Sequence, residues 1–317
     1  MHPQVAALYC ELAKRPRAIL VAAVFILAIV SFLRLGYSPL PSSAIARSTA
    51  PRDEYLAICL AVKDQGLDLP EWLQHHYHHM GVGKFYIMDD ASQPPMSSFA
   101  DTLGIPASAV EFHHNTASER VPSMQHALYQ KCSELGGDKH EWMAFIDADE
   151  FLDAPGPETL RDVLKGFEPI QVIGAVGVSW RMHTSNGQQV RQPSVRKAFT
   201  ECIFDDEEHH GEGSDNRHVK SIVRLGNFHA ASTPHFFLLN NDTITVGEHG
   251  DMIKDSFRPP TRDRLALHHY AVKSRQEMEE KAGRGNAMDQ PKSWDFWDHV
   301  ESKMPHVPCP EMARWVQ

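Results

Sequence analysis

Trp142-Met-Ala-Phe-Ile-Asp-Ala-Asp-Glu-Phe-Leu152 decides how the rest of the chain is read. Trp142 to Ile146 are apolar and too few for a helix of ordinary length, so they read as a buried strand. In an extended chain residues i and i+2 point the same way, so Asp147 and Asp149 can set both carboxylates into one crevice at the strand's carboxyl end. Open α/β sheets bind ligands at that end. Two hard oxygen donors there suit Mn²⁺ or Mg²⁺ shared with a substrate's phosphates. A pair of solvated turn carboxylates is the plainer reading of so short a motif, and the rest of the chain must choose between the two.

Working outward, Tyr55–Val62 is a continuous apolar run of the kind found in buried parallel strands. Glu71–Met80 reads as a helix with Pro70 at its start, Lys84–Met88 and Val110–Phe112 as strands, and Ser118–Glu134 as a helix interrupted near Pro122. Alternating strands and helices predict an α/β fold: a Rossmann-like, mostly parallel sheet with helices on both faces. Beyond residue 165 the pattern becomes more irregular, with β runs at Val172–Trp180, Val219–Leu225, Phe236–Leu239 and Leu265–Tyr270. A helical, amphipathic stretch follows from Ser274, with Trp294 and Trp297 expected to pack back on the body. Acids recur at the strand ends: Asp64 after the first, Asp89 and Asp90 after the second, Asp147 and Asp149 after the fourth. A parallel sheet gathers these ends on one edge, where a carboxylate can accept hydrogen bonds from a nucleobase N–H or ribose hydroxyls.

Hydrophobic content of 42% and charged content of 23% describe an ordinary globular chain. Its charge is uneven. Residues 1–52 carry six basic residues against Glu11, a net +5, so with the whole chain at −10 the remainder holds −15. An acidic body excludes recognition of nucleic acid through its phosphates, which needs clustered Lys and Arg. Ala18–Leu33 is uncharged and apolar except for Ser31, follows Lys14, Arg15 and Arg17, and extends through Tyr37 to near the ~20 residues that span a bilayer. The reading is a cytosolic tail (1–17), a transmembrane signal anchor (18–37), a Pro/Ser-rich stem (38–52) and a lumenal domain (53–317). A signal peptide cleaved near Ser42–Ala46 is the alternative. Asn241-Asp-Thr243 fits the N-glycosylation pattern. Cys59 falls inside a core strand, where a buried thiol is expected, and Cys132, Cys202 and Cys309 can supply one disulfide.

Taken in order, Ala57-Ile-Cys-Leu-Ala-Val-Lys-Asp64, Glu71-Trp72, Phe85-Tyr-Ile-Met-Asp-Asp-Ala-Ser92 and Trp142–Leu152 resemble glycosyltransferase family 92. The likeness continues through Arg120, Gln125 and Cys132, Trp180-Arg181, Ser185-Asn-Gly187, Arg196–Phe199, Lys220–Arg224 and His268–Ser274 to Lys281 and Arg284-Gly285, covering roughly residues 55–285. The resemblance implies a GT-A-type, inverting, metal-dependent transferase moving galactose from UDP-galactose to a glycan; with the anchor read above, the expected place is the Golgi membrane. It also implies Asp147 and Asp149 as the metal motif, Asp89 and Asp90 as nucleotide-binding acids, and a return of the His-His-Tyr segment near the metal. Met182-His-Thr-Ser-Asn-Gly187 departs from the family's Phe-Gly-Ser-Gly and leaves the acceptor open.

The implied reaction displaces a nucleoside diphosphate from the anomeric carbon, and Arg120, Lys220 and Arg224 are candidates to stabilise the departing charge. A carboxylate must take the acceptor's proton, and Glu150, Asp206 and Asp215 are the candidates. His269 is expected to join the metal donors in preference to His268, since alternation lets only one of the two face the site. His75 and His79 have zinc-compatible helical spacing, but without the H-E-x-x-H glutamate they read as structural. Two other classes stay open: a catalytically silent carbohydrate-binding protein on the same fold, and a metal-dependent hydrolase using the histidines.

Overall fold

The computed structural model describes residues 53–204, 214–290 and 292–315. The predicted tail, anchor and stem lie outside these residues, as does Asp206. Among the described residues no helix is long and apolar enough to cross a membrane.

Strand β1 (Leu56–Val62) leads through helix α1 (Leu69–Gln74) and a π-helical turn, His75–His79, to β2 (Lys84–Asp90) and β3 (Val110–Asn115). Helix α2 (Met124–Gly136) precedes β4 (Trp142–Phe145), and a short turn separates β4 from β5 (Glu150–Asp153). Next come α3 (Leu160–Phe167), β6 (Ile173–Met182), α4 (Val195–Ala198) and β7 (Glu201–Ile203). Strands β8 (Val219–Arg224), β9 (Phe228–Ala231), β10 (Phe237–Leu239), β11 (Ile244–Val246), β12 (Met252–Ile253) and β13 (Ala266–His269) follow. Helices α5 (Arg275–Arg284) and α6 (Trp294–Asp298) and strand β14 (His306–Pro308) complete the order. Helix α2 begins only at Met124, two residues past Pro122, because proline can neither continue a helix nor leave its predecessor helical.

The main sheet runs β12-β11-β6-β8-β4-β1-β2-β3. Strands β4, β1, β2 and β3 are parallel, as the apolar runs predict. Strand β8 lies antiparallel between β4 and β6, so its first residues reach the edge where β4 and β6 end. Strand β13 pairs with both β5 and β6.

Alternation along β1 builds the two faces. Leu56, Ile58, Leu60 and Val62 join one apolar cluster with Trp72 and Leu73 of α1, while Ala57 and Cys59 join a second with Met124 and Leu128 of α2. That same alternation aims Cys59 at Cys132 of α2, and the two form a disulfide. The expectation of a free Cys59 thiol is therefore corrected, and Cys202–Cys309 is a second bridge. Each closes a loop long enough to remove on the order of 4 kcal/mol of unfolded-state entropy.

The histidines after α1 are structural. His76 Nδ1 donates to Trp72 O at 2.9 Å, and its Nε2 accepts from Leu152 N at 3.1 Å. His75 Nε2 donates to Leu152 O at 2.6 Å, and its Nδ1 accepts from Arg196 Nη1 at 3.0 Å. Both rings must be neutral to play these parts, and burial pushes His76 down to about 3.

Because the unfolded chain binds the proton that native His76 refuses, its contribution is complete above about pH 6.5 and is lost on acidification towards about pH 3. We expect the unfolding free energy to fall by about 1.4 kcal/mol per pH unit in that window from this residue. Denaturant titrations at pH 7 and pH 5 check it: His76→Gln should flatten the slope, and an unchanged slope would refute the assignment.

Candidate active site

Strand β4 stops at Phe145, and Asp147–Asp149 form a turn closed by Glu150 N donating to Asp147 O at 3.0 Å. The two acids are therefore presented by a turn, not by continued alternation along a strand. The backbone of this turn is clamped from below. The Trp72 indole Nε1 donates to Asp147 O at 3.1 Å and to Glu150 O at 2.7 Å, and Tyr270 N donates to Asp149 O at 2.8 Å.

Two lysines from distant elements meet the carboxylates. Lys220 Nζ donates to Asp147 Oδ2 at 2.8 Å and stands 3.7 Å from Glu150 Oε2. Lys281 Nζ donates to Asp149 Oδ2 at 2.7 Å, and Gln125 Nε2 donates to Asp147 Oδ1 at 3.0 Å. His269 Nε2 faces Asp149 Oδ1 at 3.6 Å. Burial works against the charged form of Asp149, but Lys281 and His269 more than offset it and hold its carboxyl well below the usual range. Glu150 is wholly buried, and burial, with Asp147 and Asp149 adding to it against the pull of Lys220, pushes its carboxyl up to about 8. Burial opposes the charge on Lys220, yet Asp147 and Glu150 raise its pKa and keep it protonated.

Above the turn lies a cleft of about 370 Å³, within the ~300–1,000 Å³ usual for small-ligand sites. It follows the sheet edge from Asp90 of β2, past Ala61–Lys63 at the end of β1 and the acidic turn, to Trp180 of β6 and His235. Residues after α5, Gly285 to Met288, form its opposite wall. Arg120 ties that wall to the floor: Nε bonds Asp90 Oδ2 at 3.2 Å, Nη1 bonds Asp289 Oδ1 at 2.6 Å and Nη2 bonds Asn286 O at 2.9 Å. The other Asp90 oxygen, Oδ1, is buried with no hydrogen-bond partner.

The remaining predicted site residues lie elsewhere. Asp89 is buried and caps the following loop, accepting from Ser92 N and Met96 N at 2.9 and 2.8 Å and pairing with His114 at 2.7 Å. Asp64 accepts from Gln93 N at 2.8 Å and lines a neighbouring, smaller hollow. Arg224 stands opposite Trp142, at the start of β4 and hence the far edge of the sheet, where it pairs with Glu141 at 3.0 Å. Asp215 pairs with His299 at 3.2 Å. Glu150 is too deeply buried to meet an acceptor, and His268 turns away to His183 Nε2 at 2.8 Å. Sequence reasoning gave no roles to Trp72, Lys281 or His235. Each acts across a long sequence separation, and no local pattern marks it.

The donor set fits a divalent cation. Two carboxylates and one imidazole are hard-to-borderline donors of the kind Mn²⁺ and Mg²⁺ accept. His269 Nδ1 is buried without a hydrogen-bond partner, so the ring holds a polar atom that the protein itself leaves unused.

A family model described as glycosyltransferase family 92 matches residues 55–281. A family 92 protein of Oryza sativa subsp. japonica is 27% identical over 172 residues, which is 53% of this chain and 26% of that protein. One from Ricinus communis is 29% identical over 112 residues, 35% of this chain and 19% of its own length. The chain thus spans about a quarter or less of the curated relatives it matches. Among solved structures, a mannosyltransferase from Pyrobaculum calidifontis in complex with GDP-Man and Mn²⁺ aligns at TM-score 0.32 and 17% identity, covering 52% of this chain and 46% of that one.

Removing Lys220 would strand Glu150 and Asp147 without their common cation. Lys220→Met is expected to cost about 1–3 kcal/mol in unfolding free energy, and adding Glu150→Gln should recover part of it. Urea unfolding of the single and double variants tests this, and a loss under about 1 kcal/mol would contradict the buried-pair account.

Proposed function

The chain belongs to glycosyltransferase family 92, and from that premise we propose that it transfers a sugar from a nucleotide sugar to a glycan hydroxyl. One observation carries the reading: Asp147 and Asp149 line the floor of a cleft beside His269, and the same cleft ends at Asp90 with a buried, unpartnered carboxylate oxygen. An acceptor atom held dry and unsatisfied invites a donor from a ligand, such as a nucleobase N–H or a ribose hydroxyl.

The nucleoside sits at the β1 and β2 end against Asp90. Its diphosphate then lies over the acidic turn, where Lys281 and Arg284 line the cleft and offer positive charge. A divalent cation held by Asp147, Asp149 and His269 would supply the remaining neutralisation of the leaving group. Lys220 holds the Asp147 carboxylate in place, and Trp72 fixes the backbone that presents both acids. The glycosyl group projects towards Trp180 and His235, which line the part of the cleft away from Asp90. UDP-galactose is the donor proposed, with displacement by inversion, and Mn²⁺ the ion.

A lumenal position in the Golgi, with residues 18–37 as anchor, belongs to the same proposal. Two disulfides favour an oxidising compartment, and Asn241 of the sequon is exposed.

The test is release of nucleoside diphosphate by the purified chain across a panel of nucleotide sugars that includes UDP-galactose, with mixed glycans, in Mn²⁺ or EDTA. Turnover of one donor should require the metal and fall at least about 10²–10³-fold in Asp147→Asn/Asp149→Asn. Turnover that survives in the double variant would sink the assignment. Glycan binding without turnover of any donor would favour a silent carbohydrate-binding protein.

A further inference from the structure

The described residues lining the cleft include only three carboxylates, Asp90, Asp147 and Asp149. One takes the nucleoside end and two the cation, so among the described residues no carboxylate of the cleft is left to receive the acceptor's proton. Among the described residues of the lining, His235, in the loop between β9 and β10, is an imidazole that neither the nucleoside end nor the cation uses.

His235 is held by its own backbone and by its ring. Its carbonyl accepts from Ser221 Oγ at 2.8 Å, and its N–H donates to Thr233 Oγ1 at 3.1 Å. Ring Nδ1 lies 3.0 Å from the Val219 carbonyl oxygen, which can only accept, so the proton is on Nδ1 and Nε2 keeps a lone pair. The ring packs edge-on to Trp180, with centroids 5.1 Å apart, and Trp180 in turn lies 4.1 Å from His269. Burial first, and then the Lys220 charge, holds the imidazole well below its ordinary value, so the ring is neutral in the free protein and its Nε2 lone pair is unprotonated.

Strand order gives this position its meaning. Asp90 lies on β2, the acidic turn follows β4, and His235 lies beyond β4 next to β8 and β6. A hydroxyl that reaches the anomeric carbon from the side away from the diphosphate must come from the His235 end of the cleft.

We propose that His235 Nε2 is the general base that takes the proton from the acceptor hydroxyl. The hydroxyl oxygen's electron pair forms the new bond to the anomeric carbon, and the bond from that carbon to the diphosphate oxygen breaks. Its electron pair leaves with the nucleoside diphosphate. The acceptor's proton resides on the imidazole and passes to water after product release. The inference rests on the transferase reading above and assigns a residue that carboxylate-based reasoning overlooks.

His235→Asn is the discriminating variant, because an amide nitrogen can replace Nδ1 in bonding the Val219 carbonyl while Nε2 is lost. With the nucleotide sugar that the wild type turns over, kcat should fall about 10²–10⁴-fold. Donor affinity and the unfolding midpoint should be essentially unchanged. In His235→Gly, imidazole added to solution should restore part of the rate. His235→Asn retaining kcat within about fivefold of wild type would overturn the proposal, with general-base catalysis worth at least about 10²-fold. So would a rate loss matched by an equal loss of donor affinity, or Asp206→Asn abolishing a turnover that His235→Asn leaves intact. A wild type inactive towards every donor would fail the transferase reading itself, which keeps the two failures apart.

Discussion

Three carboxylates in four residues, Asp147, Asp149 and Glu150, are gathered at the end of one strand, and Glu150 is sealed completely from water. Left alone, such a cluster would repel itself and pay a desolvation penalty of several kcal/mol per buried charge. Cations delivered from far along the chain make it tolerable. Lys220 comes from β8, an antiparallel strand set into a sheet whose neighbours β4 and β1 run parallel. Lys281 comes from α5, 132 residues after Asp149. The antiparallel insertion is thus a requirement of the site, since a parallel strand at that place would present its carboxyl end, and not Lys220, to the cleft.

The same turn needs its backbone held, because side chains on a loose turn cannot keep two carboxylates aimed at one point. Helix α1 and the π-helical turn after it provide the grip. Trp72 holds the carbonyls of Asp147 and Glu150, while His75 and His76 hold both backbone groups of Leu152. Glu71, on the same helix, accepts from Val195 N and Arg196 Nε at 2.7 and 3.0 Å, so one short helix organises the acidic turn and α4 together. Above the floor, Arg120 bonds Asp90 and the wall segment at once. A ligand that engages Asp90 therefore also acts on the wall that covers it.

The sequence made legible what is local. A five-residue apolar run before Asp147 signals a strand, and a strand-end acid pair signals the ligand edge, because both depend only on neighbouring residues. What depends on register was not legible. Lys220 and Arg224 lie four residues apart on β8, roughly 13 Å at ~3.3 Å per residue, so one reaches the acidic turn beneath the cleft and the other the opposite edge. Which of them does so follows from the antiparallel pairing of β8, and composition does not reveal direction. Asp89 and Asp90 show a distinction that alternation could have drawn: adjacent strand residues face opposite ways, so only one of them can serve the cleft. Cys59 is a similar case, its bridge to Cys132 resulting from the face of β1 it occupies.

Charge also explains why an imidazole suits the last step better than a fourth acid would. The cleft already holds Asp90, Asp147 and Asp149, and a bound diphosphate adds further negative charge. Another carboxylate there would raise its own pKa against these neighbours and compete with the metal motif for the cation. A neutral imidazole does neither. It becomes positive only as the acceptor oxygen loses its proton, at the moment the diphosphate takes on the electron pair from the breaking bond. The charge created on His235 and the charge released on the leaving group then arise together in one confined cleft, where each stabilises the other.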